Sequence, residues 1–203
     1  MKQILSLLVA FVFVQTQCWA LSGGPNYAGD SNDATGEFAG VLVPTGLGTN
    51  ALGLFSLTSP VKGLATGTFV VFASGSTFNG TIKGLIDPDK LTLQAIAEGK
   101  ETATFVTVDP DTGAVTTEER TVALAAGQIT AILSKTVDRN GRISATSGTR
   151  LTGTGSLATS DLNFGRQAVN AAGGSRTTPT GTLTFTVDGF KQADLDRFLA
   201  TLP

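Results

Sequence analysis

The chain contains no histidine, and its single Cys, Trp and Met are Cys18, Trp19 and Met1, all within the first nineteen of 203 residues. If those residues are removed on export, the remaining chain has no imidazole, thiol, thioether or indole. Most nucleophilic, proton-shuttling and transition-metal sites depend on the first two of these groups. Disulfides are excluded for the same reason, so stability must come from an ordinary hydrophobic core rather than covalent staples. Charge is sparse (15%), and one Tyr, Tyr27, is present beside twelve Phe. No apolar stretch after the N-terminus is long enough for a membrane helix, which needs about 20 residues.

The N-terminus, MKQILSLLVAFVFVQTQCWA, places Lys2 before an apolar run from Ile4 to Val14 and ends in Cys18-Trp19-Ala20. A positive start, a short apolar centre and small residues at the −3 and −1 positions form the tripartite export signal, with cleavage after Ala20. A lipidated Cys18 is the rival reading. It is disfavoured because Gln15-Thr16-Gln17 stand where a lipoprotein signal carries Leu-like and small residues. The expected organisation is a signal peptide over 1–20, a small and polar flexible leader over 21–35, and a single domain over 36–203. The protein is expected outside the cytoplasm, whether periplasmic, cell-surface or secreted.

What is abundant is Gly, Thr, Ala, Val and Leu. Thr and Val favour strands because their branched side chains pack well on a pleated surface, and Gly-rich punctuation between short apolar runs reads as turns. The fold class is therefore all-β. Strands are expected at 37–43, 51–58, 65–73, 77–86, 90–98, 101–108, 116–126, 128–137, 142–147, 149–156 and 182–187. Turns are expected at Asp87-Pro88-Asp89, Gly99-Lys100, Asp109 to Gly113, near Gly127, and at Asn140-Gly141. Residues 158–180 read as a long polar connection.

Two strands alternate cleanly. Leu91, Leu93, Ala95 and Ala97 share one face, and Leu183, Phe185 and Val187 alternate with Thr182, Thr184 and Thr186. After Gly189 the period changes: Leu195, Phe198, Leu199 and Leu202 form one stripe of a short helix that is expected to cover a barrel end. Short connections make neighbours antiparallel. The expected topology is an up-and-down meander closing into a β-barrel, with a half-open barrel or sandwich as the alternative. Phe38-x-Gly40 and Phe78-x-Gly80 echo each other and are read as Phe in the core with Gly at a bend. In general look the chain resembles the soluble meander barrels of bacterial envelopes, with no motif that singles out a family.

Carboxylates are the only side chains left for catalysis. A glycosidase needs two of them about 5 to 10 Å apart in a cleft. The pairs Asp87/Asp89, Asp109/Asp111 and Glu118/Glu119 fall at turns and read first as solvated turn residues. Neither Asp109-x-Asp111-x-Gly113 nor Asp30-x-Asn32-Asp33 completes a calcium loop, so no metal and no cofactor are expected.

Charge is unevenly spread, with eleven Asp/Glu against four Lys between Leu21 and Glu119, and nine Lys/Arg against five Asp from Arg120 onward. Lys135, Arg139, Arg142, Arg150, Arg166 and Arg176 could meet an acidic glycan or envelope surface. Nucleic acid is not expected, since the chain is acidic overall and Phe164 is the sole aromatic among those cations.

Three functions follow. The first is an exported, non-catalytic barrel serving as an envelope or extracellular binding or structural module. The second is a carrier of a small apolar ligand in a lipocalin-like lumen, lined by Phe69, Phe105, Leu162, Phe164 and Phe185, which needs a cavity of about 300 Å³ or more. The third is a carboxylate-dependent hydrolase, which needs two converging carboxyl groups with one pKa displaced.

Overall fold

The computed structural model describes residues 26–28, 34–45, 51–60, 63–73, 76–136, 148–162 and 180–200. They form nine strands and one helix: β1 (Asn26–Ala28), β2 (Gly36–Pro44), β3 (Ala51–Ser59), β4 (Leu64–Ala73), β5 (Ser76–Asp87), β6 (Thr92–Val108), β7 (Val115–Thr136), β8 (Gly148–Asp161), β9 (Gly181–Lys191) and α1 (Gln192–Leu199). From β2 to β9 each strand pairs antiparallel with its neighbours in sequence, and β2 pairs with β9 to close an eight-stranded up-and-down barrel. Closure removes the sheet edges that an open meander would expose. The expected signal peptide lies outside the described residues. Of the expected leader, Asn26–Ala28 pairs with Ser134–Thr136 of β7 and Ala34 is buried, so this segment is not uniformly loose chain.

The alternation read from the sequence sets the walls. Leu93, Ala95 and Ala97 point inward with Leu91 before them, while Gln94 and Glu98 point outward; Phe185 and Val187 are buried on β9 between exposed Thr184 and Thr186. Leu91 achieves this from a left-handed conformation (φ 54°) at the end of the Asp87 turn. β6 therefore starts at Thr92 rather than Lys90.

Two expected turns are not turns. Gly99-Lys100 lies inside the 17-residue β6, and Gly127 lies inside the 22-residue β7. β8 also runs on to Asp161, which shortens the expected 158–180 connection. The reason for glycine here is space. Phe55 and Phe69 are direct cross-strand partners, and their row continues to Gly40 and Gly189 on one side and to Gly80 and Gly99 on the other. A Cβ at Gly99 would lie 2.8 Å from Phe69 Cζ, and one at Gly189 would lie 2.6 Å from Phe55 Cζ. The Phe69 ring thus lies across two neighbouring strands that carry no side chain on that row, and the Phe55 ring reaches Gly189. The Phe-x-Gly echo marks close packing as well: Phe38 and Phe78 are both fully buried, Gly80 seats the Phe69 ring, and Gly40 lies against the Asp188–Gly189 backbone of β9.

α1 follows β9 directly and contacts β2, β8 and β9 at one barrel end. The stripe residues Leu195 and Leu199 are half-buried; the Phe198 side chain and Leu202 lie outside the described residues. Asp194, buried in the first turn where the helix dipole favours an anion, accepts the Thr149 N–H at 2.8 Å and holds Arg197 at 3.1 Å. The Asn140-Gly141 hairpin and the expected strand over 142–147 lie outside the described residues.

Candidate functional site

Among the described residues the lumen is packed with side chains. A small void lined by Leu42, Phe55, Leu57, Ile82, Leu93 and Ile129, among others, measures about 10 Å³, and a second of about 10 Å³ lies by Leu42, Leu157 and Phe185 toward the end opposite α1. Such a space admits about one water molecule.

The expected ligand-lining residues do not converge among the described residues. Phe69 and Phe185 are buried core side chains, Phe69 over Gly80 and Gly99, and Phe185 within 2.5 Å of where a Gly155 Cβ would stand. Phe105 lies beyond the barrel wall with the Arg120 guanidinium over its ring at 5.3 Å. Leu162 is exposed and donates its N–H to Val122 O at 2.9 Å. Phe164 lies outside the described residues.

Each carboxylate pair is accounted for locally. Asp87 Oδ1 accepts the N–H groups of Asp89 and Lys90 at 2.9 and 3.0 Å, and these bonds hold its carboxyl below the ordinary Asp value, the Lys90 N–H contributing most. Asp109 Oδ1 does the same with Asp111 and Thr112 at 2.8 and 2.9 Å, and its carboxyl is lowered chiefly by the Thr112 N–H. The expected hairpin turn forms here, with Gly113 at φ 68° and its N–H bonded to Asp109 O.

Glu118 and Glu119 are adjacent in a strand, so their side chains leave opposite faces. Glu118 pairs with Arg120, which lowers the Glu118 carboxyl and raises the Arg120 guanidinium through the hydrogen bond they share. A general acid at neutral pH needs the reverse displacement. Among the described residues no three His, Cys, Asp or Glu side chains gather as a metal site.

Of the expected cationic face, Arg150 is engaged: its Nη2 reaches both Asp188 carboxylate oxygens at 2.7 and 2.6 Å, and its guanidinium lies 4.8 Å from the Phe190 ring centre. Lys135 also has a partner. Arg139, Arg142, Arg166 and Arg176 lie outside the described residues.

The feature that reading by turns missed is a projecting arm. Pairing of β6 with β5 ends at Lys100, and pairing of β7 with β8 ends at Ala123, yet β6 and β7 stay paired as far as Val108 and Val115. A bulge between Glu101 and Thr102 marks the root, where buried Glu101 accepts the Thr77 N–H at 3.1 Å in place of a ladder bond. Bulges bend and twist a strand, which suits a ribbon leaving the wall. The signal in the sequence was the run from Thr102 to Val108, with no Gly or Pro to end it.

No protein-family model, no curated protein and no solved structure matches the chain.

Proposed function

We propose that this protein is exported and acts as a non-catalytic β-barrel module of the cell envelope or extracellular space, working through its outer surface. The observation that carries this reading is the packing of the described lumen, where the buried Phe55 and Phe69 rings lie over glycines of neighbouring strands. A carrier of the lipocalin kind needs about 300 Å³ for its ligand, and the voids bordered by described residues, each about 10 Å³, weigh against one. The carboxylates bound into turns and the Glu118–Arg120 pair favour a non-catalytic role over a hydrolase.

No described helix is long and apolar enough to cross a membrane. The lumen is apolar and the outer wall mixed, with Gln94, Glu98, Lys100 and Thr130 exposed beside Ile96, Leu124 and Ile132 on β6 and β7, whereas a membrane barrel turns a continuous apolar band outward. This supports a barrel that does not span the bilayer.

Native mass spectrometry of the protein taken gently from the exported fraction tests the reading. The expected result is a chain beginning at Leu21 with no additional mass. A stoichiometric adduct released by organic solvent would overturn it in favour of a carrier, and recovery only of uncleaved chain in the cytoplasm would overturn export.

A further inference from the structure

The arm has two long edges, and among the described residues neither is paired. An isolated two-stranded ribbon is marginal in water, and this one displays Val106, Val108 and Val115 at 61, 57 and 63% exposure. Its edges differ in chemistry. Thr102 to Val108 (TATFVTV) carries no charge, no Gly and no Pro, while Val115 to Thr121 (VTTEERT) carries Glu118, Glu119 and Arg120. Edges that must stay single are normally blunted by charge or Pro. The β7 edge is blunted in that way and the β6 edge is not.

The backbone sets which residues of the β6 edge can bond outward. Asp109 donates its N–H to Ala114 O at 2.9 Å. Alternation in an antiparallel ladder then makes Thr107–Thr116, Phe105–Glu118 and Ala103–Arg120 the pairs that exchange bonds. Thr104, Val106 and Val108 accordingly turn their N–H and C=O groups away from β7. A second copy related by a two-fold axis through Phe105 presents the same groups in register. Thr104 then faces Val106 of the other copy, Thr102 faces Val108, and the two Phe105 residues meet as a non-hydrogen-bonded pair, where side chains are closest. Pairing the β7 edge over its equivalent full length, Val115 to Thr121, instead sets Glu118 opposite its own copy, which like charges disfavour.

We propose that the β6–β7 arm is a dimerisation device, with two copies of this chain joining their Thr102–Val108 edges antiparallel about Phe105 into one four-stranded ribbon. The occupant is a second copy because the edge is uncharged and self-complementary under a two-fold axis, and the axis through Phe105 is the register that pairs the whole Thr102–Val108 run. This goes beyond the proposed exported scaffold and stands or falls separately from it: the adduct measurement above reads the lumen, and the following experiment reads the arm.

Sedimentation velocity of the full chain over a concentration series is expected to show a monomer–dimer equilibrium. Val106→Pro removes an outward N–H without touching the β6–β7 ladder, as edge positions allow, and Thr104→Lys places a charge in the joint. Both are expected to abolish the dimer with unchanged far-ultraviolet circular dichroism, while Glu119→Lys, on the other edge, keeps it. Should Val106→Pro unfold the chain, Thr104→Lys decides, since it keeps every backbone donor. In a Cys18→Ser background, Phe105→Cys is expected to give a disulfide-linked dimer on mild oxidation. A monomer at every concentration, a dimer that survives both edge variants, or an open-ended ladder of larger species would overturn the proposal. A dimer that Phe105→Cys fails to link would overturn the register.

Discussion

The ring of Phe69 on β4 lies across Gly80 on β5, so closely that a Cβ added at Gly80 would stand 2.5 Å from Phe69 Cε1 and 2.2 Å from the Glu98 carbonyl oxygen. The ring can bend aside, but the carbonyl belongs to the neighbouring strand of the ladder and cannot. Gly80→Ala is expected to destabilise the barrel by about 1–3 kcal/mol, the usual range for overpacking a filled core. Urea unfolding measures this. Adding Phe69→Leu should recover only the ring's share of the loss, and full recovery would show that the backbone contact does not matter.

Leu42 borders both small voids of the lumen and is itself buried. Leu42→Ala is expected to cost about 2–5 kcal/mol, because the closed wall cannot collapse around the space left behind. A dry apolar cavity takes up xenon. Xenon-induced shifts confined to residues around position 42 in the variant, and absent from the parent, would report that the lumen is otherwise full.

Asp194 joins α1 to the start of β8 by accepting the buried Thr149 N–H. Asp194→Ala removes a carboxylate acceptor from a buried backbone N–H, a loss of about 1–3 kcal/mol. The amide of Thr149 should exchange with solvent far faster in the variant, and the melting temperature should fall. Unchanged exchange at Thr149 would mean that the helix is held by its apolar contacts alone.

Three exposed acidic groups have carboxyls below their ordinary values: Asp87 and Asp109 through backbone N–H bonds, and Glu118 through Arg120. A depressed native pKa stabilises the fold fully above the unfolded carboxylate range of about 4, and the contribution disappears as pH falls through the native value. Protection of the Asp111 and Thr112 amides should therefore hold above about pH 5 and fade in acid below about pH 4. Asp109→Ala should lack this protection at every pH. Amides that stay protected in acid would show the turn to be held by its backbone bonds.

Leu183, Phe185 and Val187 between threonines, and Leu93, Ala95 and Ala97 between polar residues, can each be buried in only one way on a pleated strand. The all-β class, the antiparallel meander, the inward faces and the Asp109–Gly113 turn were therefore legible from local chemistry, as was the terminal helix from its change of period. Gly99 and Gly127 read as turns in the sequence because glycine carries the same letter whether it bends the chain or makes room. Only the neighbouring strand, with Phe69 beside Gly99, distinguishes the two uses.

The partnership of Arg150 with Asp188 and Phe190, the burial of Glu101, and the arm that leaves the wall beyond it depend on which strands end where. That is settled by pairings between residues far apart in the chain. The periodicity of each strand is written in consecutive residues, since side-chain alternation is a local property. The tertiary structure decided closure of the barrel, the filling of its lumen and the free edge of its arm, because each depends on contacts that no local pattern encodes.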